Sequence, residues 1–202
     1  MKFLRVFELA LIFIIAPLML ALKIIPNNYM FILLWGGAIY ALFHLAKVKF
    51  RLFVKFSLDE LKFIIKRFLF FAILLTLFTL IFSRETLLIL PKTHFKIWVL
   101  VMFLYPLFSA FFQEILFRAF FTLRYKFLFK NEFYFVFINA VIFGAVHLLY
   151  GNFIAVVFSF FGGLMFIKTY LKSGSVVLST IEHALYGNFI FTIGLGRYFY
   201  NG

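Results

Sequence analysis

The chain has no cysteine, and its 202 residues include only 7 acidic side chains against 20 lysines and arginines. Without thiols there can be no disulfide and no thiolate metal site. Charge of either sign is scarce, at 13%, about half of what a soluble domain carries. Apolar residues take its place: 66% of the chain is hydrophobic, with 36 phenylalanines and 10 tyrosines. Several apolar runs approach or reach the roughly 20 residues needed to cross about 30 Å of hydrocarbon. Inside lipid each run must satisfy its own backbone hydrogen bonds, so helices are expected. The composition therefore predicts an all-α polytopic transmembrane bundle and excludes a soluble domain.

The net charge of +13 raises nucleic acid as a partner, and its distribution argues against that. Lys47, Lys49, Arg51, Lys55, Lys62, Lys66 and Arg67 flank apolar runs, as do Arg124, Lys126, Lys130, Lys168 and Lys172. That is the positive-inside pattern, with anionic lipid headgroups at the cytoplasmic face as the partner.

Seven spans are predicted, at residues 7–25, 29–46, 57–82, 97–126, 133–150, 153–170 and 176–195, with six if the first or fourth does not cross fully. The first is read as a retained span, because no small-residue cleavage site follows its apolar stretch. Ser57 and Glu60 form a capping box that opens the third span, and the fourth is expected to be kinked or interrupted at Pro106. Gly162 and Gly163 should let helices approach closely. The N-terminus is assigned to the cytoplasm, which puts the basic loops on that side. One transmembrane domain is expected over residues 1–202. Residues 1–95 would supply N-terminal spans and an amphipathic interfacial helix, and 96–202 the core that carries the chemistry.

A charged side chain at bilayer depth costs at least about 2.5–3.5 kcal/mol on insertion scales, so ionisable groups within spans point to function. Glu114 and Arg118 are i,i+4 neighbours that can pair on one helical face, while Gln113 points about 100° away. His147 lies in the fifth span. Glu182 and His183 lie in the seventh, with Ser179 and Gly187 one turn to either side of His183. The alternatives are structural: a neutralised ion pair for Glu114 and Arg118, and a histidine bonded to a neighbouring helix for His147. Glu182 has no basic residue within a turn of its own helix. His44 and His94 receive no role. The octapeptide from His147 recurs from His183 with seven of eight positions identical, which suggests two imidazoles in the same local setting. Counting rises along the spans puts His147 outward and His183 inward of the midplane, so tilt or a broken fourth span must reconcile their depths.

Glu114-x-x-x-Arg118, then Phe143-x-x-x-His147, then His183 resembles the ordered signature of the CPBP family. These intramembrane proteases include the type II CAAX prenyl endopeptidases, and the likeness covers residues 109–195. The Gln113-Glu114 pair and the ending through Gly194, Gly196 and Tyr198 resemble a bacterial subgroup, the glutamic-type proteases paired with C-terminal sorting tags of the JDVT-CTERM class. The resemblance implies a protease of the bacterial inner (plasma) membrane that hydrolyses a membrane-anchored or C-terminally tagged protein. It casts Glu114 as the base that activates water, Arg118 as its orienting partner, His147 and His183 as holders of water and oxyanion, and Gln113 or Asn188 as secondary donors.

The chain departs from the family at two positions. Gln113 stands where the family usually has a glutamate, and an amide cannot act as a base, so Glu114 or Glu182 must supply the carboxylate. Gly187 stands where the family has an asparagine, and Asn188 is one position off. Zinc on Glu114, His147 and His183 is a chemically legitimate alternative, disfavoured because Arg118 would repel a dication beside Glu114. A transporter or a non-catalytic binding protein that uses buried Glu and His is the reading from another class.

Overall fold

The computed structural model describes residues 2–200, and no strand occurs among them. Six helices are long and apolar enough to cross a membrane: α1 (Phe3–Ala21), α2 (Asn27–Lys47), α3 (Leu58–Phe82), α5 (Phe95–Leu128), α6 (Glu132–Tyr150) and α7 (Phe153–Ser173). A short α4 (Ile89–Thr93) precedes α5, and α8 (Val176–Thr192) follows α7. Large apolar side chains on the outer faces of α1, α2, α3 and the first half of α5 are exposed, as lipid contact requires.

The α8 helix differs from the expected seventh span. It has 17 residues, about 25 Å at 1.5 Å per residue, short of the hydrocarbon thickness. It stops before Gly194, whose φ of +94° turns the chain away and whose missing Cβ would sit 2.0 Å from the Thr86 carbonyl oxygen. Helices α3, α5 and α7 pack around α8, so neighbouring protein rather than lipid satisfies its surface.

Local chemistry explains the helix boundaries. The capping box at Ser57 forms as expected: its hydroxyl accepts from the Glu60 amide, and the Glu60 carboxylate accepts from the Ser57 amide. Pro106 does not break the fourth span; α5 runs through it with a π turn at Pro106–Ala110. Proline has no N–H to offer the Met102 carbonyl one turn back. Asn188 of α8 donates to that carbonyl at 3.0 Å, and Trp35 of α2 donates through its indole N–H to the Phe108 carbonyl at 2.7 Å. Side chains of neighbouring helices thus satisfy the backbone that the kink would leave open. A second π turn, Ile115–Phe120, follows Glu114 directly. The region from Ala110 to Tyr125 supplies much of the core, with Ile115, Ala119, Phe120 and Phe121 all fully buried.

The α6 and α7 helices form the most extensive pairing in the bundle. Of the two adjacent glycines, Gly163 makes the close approach. A Cβ there would lie 3.1 Å from the Ala140 Cα and 3.2 Å from Phe143, whereas one at Gly162 would meet only Phe166 of its own helix. Gly163→Leu should therefore wedge the pair apart and cost about 1–3 kcal/mol through overpacking. The check is a lowered thermal midpoint of the purified protein in detergent, beside a Gly162→Leu control that shifts less.

Candidate active site

The expected pairing of Glu114 and Arg118 forms at full burial. Arg118 Nε donates to Glu114 Oε2 at 3.0 Å, and neither side chain reaches solvent. The second carboxylate oxygen, Oε1, accepts from His183 Nδ1 at 2.9 Å, so this residue bridges α5 and α8. The Ser179 hydroxyl, one turn before His183, also lies against the carboxylate. Arg118 in turn donates through Nη1 to Asn139 Oδ1 on α6, and Asn139 donates to the Phe117 carbonyl within the π turn. Nη2 has no hydrogen-bond partner among the described residues; the guanidinium lies over the Phe143 ring, 4.5 Å from its centroid.

Aromatic rings hold both imidazoles. His183 stacks on Phe166 at 4.6 Å between centroids and meets Phe143 edge-on at 5.6 Å. His147 packs on the same Phe143 at 5.1 Å. The depth conflict read from the spans is resolved by these contacts. The α-helical part of α6 ends at Val146, and His147 turns its Nδ1 back to donate to the Phe143 carbonyl at 2.7 Å, while short α8 brings His183 edge-on to the same ring. The two copies of the octapeptide do not share one local setting. His147 begins a 3-10 turn that ends at Gly151 with φ +69°, and Asn152 then caps α7. His183, Gly187 and Asn188 lie within continuous α-helix.

Both histidines line one cavity of about 1170 Å³, together with Gln113, Tyr105 and Gly187. Its walls are largely apolar residues of α3 and α5, such as Phe71, Leu75, Leu100 and Leu104. Glu114 and Arg118 do not line it; they lie behind His183 in the core. Gln113 faces the cavity and donates to Ser109 at 2.9 Å. Asn188 faces away, holding the Met102 carbonyl. Glu182, which the sequence left without a cation, finds one on another helix: Arg67 of α3 pairs with it, and the Thr169 hydroxyl donates at 2.6 Å. This carboxylate ties α3, α7 and α8 together outside the cavity.

The zinc set does not fit this geometry. Glu114 has one oxygen on Arg118 and the other on the nitrogen that His183 turns inward. Among the described residues no three of His, Cys, Asp or Glu converge as a ligand set.

Residues 95–189 match the family model of the Rce1-like type II CAAX prenyl endopeptidases. No curated protein and no solved structure matches the chain. The matched segment takes in all of α5, α6 and α7, and α8 as far as Phe189. It therefore contains Gln113, Glu114, Arg118, His147 and His183, and the match supports a protease of the CAAX type. It stops short of residues 193–198, which the sorting-tag resemblance needs. Arg67 enters from outside it.

Sequence reasoning passed over Asn139, Arg67, Thr169 and Tyr105. Asn139 had a signal, as a lone amide in an otherwise apolar run; the others could be recognised only from contacts between helices. Glu182→Gln should destabilise the protein by about 2–3 kcal/mol, below the roughly 3–5 of a fully sealed pair because Arg67 keeps some exposure. Thermal melting with and without Arg67→Met checks this: the double variant should recover part of the loss, since no unpaired cation remains.

Proposed function

We propose that this protein is an intramembrane endopeptidase in which the Glu114–His183 dyad activates water at the wall of the large cavity. The observation that carries the reading is the 2.9 Å contact between His183 Nδ1 and Glu114 Oε1, with the histidine ring lining the cavity. A carboxylate only accepts, so Nδ1 carries a proton, and in the neutral ring Nε2 keeps its lone pair. His147 stands likewise, because its Nδ1 donates to a carbonyl. Two neutral imidazoles that face one cavity can together accept both hydrogens of a water molecule. The water oxygen then attacks the scissile carbonyl while His183 Nε2 takes its proton, and Glu114 stabilises the imidazolium that forms. The base that meets water is then His183, and Glu114 acts through it with Arg118 as countercharge. The proton passes from His183 to the leaving amine, which completes hydrolysis.

The apolar walls suit the membrane-embedded part of a substrate, either a membrane-anchored protein or one with a C-terminal sorting tag. Lys47, Lys49, Lys55, Lys62 and Lys66 are exposed, which supports a cytoplasmic N-terminus and anionic lipid at that face. Gln113 can orient or donate, and no step asks it to be a base.

In proteoliposomes, His183→Ala, His147→Ala and Glu114→Gln should each lower cleavage of a prenylated CAAX peptide or a tagged single-span protein by roughly 10²-fold or more. Gln113→Ala should cost less. Full activity in Glu114→Gln would move the carboxylate role elsewhere. Reaction without a resident metal is also expected: dialysis against a strong chelator should leave the rate unchanged, and a loss restored only by stoichiometric zinc would replace this mechanism with a metalloprotease.

A further inference from the structure

Hydrolysis by this site needs hydrogen-bond donors as well as a base. As the water attacks, the carbonyl oxygen takes on negative charge, and N–H or O–H groups must be in place to receive it. Both histidines have their protonated Nδ1 committed, to Glu114 and to the Phe143 carbonyl, so in the resting state neither offers a donor to the cavity. One hydrogen of the Gln113 amide is engaged with Ser109. Asn188 is taken by Met102. The Tyr150 hydroxyl is directed to the Met30 sulfur at 3.8 Å, and the Tyr186 hydroxyl is sealed from the cavity.

Tyr105 remains. Its ring lines the cavity and lies edge-on to His183, 5.9 Å between centroids. No hydrogen bond joins its hydroxyl to any described residue. Its position is set by a notch on α8: a Cβ on Gly187 would lie 2.1 Å from Tyr105 Cε1 and 2.4 Å from its hydroxyl oxygen. Gly187 is one turn beyond His183, on the same face of α8, so the phenol occupies the space a side chain beside the histidine would fill. From the α5 side, Tyr105 is anchored by the π turn that starts at Pro106 and by the Asn188 bond to Met102.

We propose that the Tyr105 hydroxyl is the donor that receives the developing oxyanion, and that Gly187 exists to admit it. Tyr105 is then a catalytic residue supplied by α5 that completes a water-activating pair based on α8. This inference rests on the protease reading above.

The test uses the full chain in proteoliposomes with an internally quenched prenylated CAAX peptide and a tagged single-span peptide. Tyr105→Phe keeps the ring in the Gly187 notch and removes only the donor. It should lower kcat by roughly 10²–10³, as loss of one oxyanion donor does. KM should stay within about twofold and the thermal midpoint should not move, because the hydroxyl has no protein partner to lose. Gly187→Ala should also lower kcat by displacing the phenol, and should lower the midpoint as well. Equal kcat for wild type and Tyr105→Phe overturns the assignment of Tyr105 and leaves the protease reading standing. A fall in kcat accompanied by a lowered midpoint in Tyr105→Phe marks the hydroxyl as structural and overturns it too. If the wild-type chain cleaves neither peptide, the protease reading fails and this inference fails with it.

Discussion

A carboxylate sealed from solvent inside a membrane bundle must find its hydrogen-bond donors within the protein, and Glu114 finds them on two helices at once. Its oxygens divide between Arg118, one turn along α5, and His183 on α8. Removing either partner would leave charge buried without compensation, which costs more than the pair contributes. This fixes the register of α8 against α5. The arrangement extends outward through Asn139 to α6, while Glu182 makes a separate bridge through Arg67 and Thr169 to α3 and α7. Two buried acids and two arginines thus neutralise each other and pin five helices around one cavity.

The α5 helix makes this possible by departing from α-helical geometry where it passes the site. Its two π turns bracket Gln113 and Glu114, and π turns are often found at functional positions. Each leaves backbone groups poorly served, and side chains from α2, α6 and α8 supply the missing hydrogen bonds. The π turns and the site belong together: Asn139 and Asn188, which hydrogen-bond the backbone of α5, also lock it against α6 and α8, the helices that carry the histidines.

The assignment of the two histidine tautomers changes how the chemistry must be divided. Both rings donate through Nδ1, so in their neutral forms both present acceptors to the cavity. Acceptors can hold and deprotonate water but cannot stabilise an oxyanion. In the proposed mechanism, a base on α8, water contacts on α6 and α8, and donors on α5 divide the reaction so that no single helix carries it. Gln113 fits on the donor side of that division, where an amide serves without a carboxylate.

Much of this protein follows from sequence alone. Apolar run lengths and the cost of unsatisfied backbone in lipid require an all-helical membrane bundle, and the Ser57–Glu60 box sets the start of α3 because capping is local chemistry. Glu114, Arg118, His147 and His183 are recognisable because polar groups at that depth are too costly to be incidental. The sequence does not contain the order in which they meet the cavity, because burial of Glu114 behind His183 depends on how α8 packs. Nor does it contain the cation for Glu182, which lies 115 residues away at Arg67, or the phenol that fills the notch at Gly187. The repeated octapeptide makes the reason plain. Seven identical residues out of eight end a helix at His147 and continue one through His183, because local preferences differ by less than the energy of packing against the rest of the bundle.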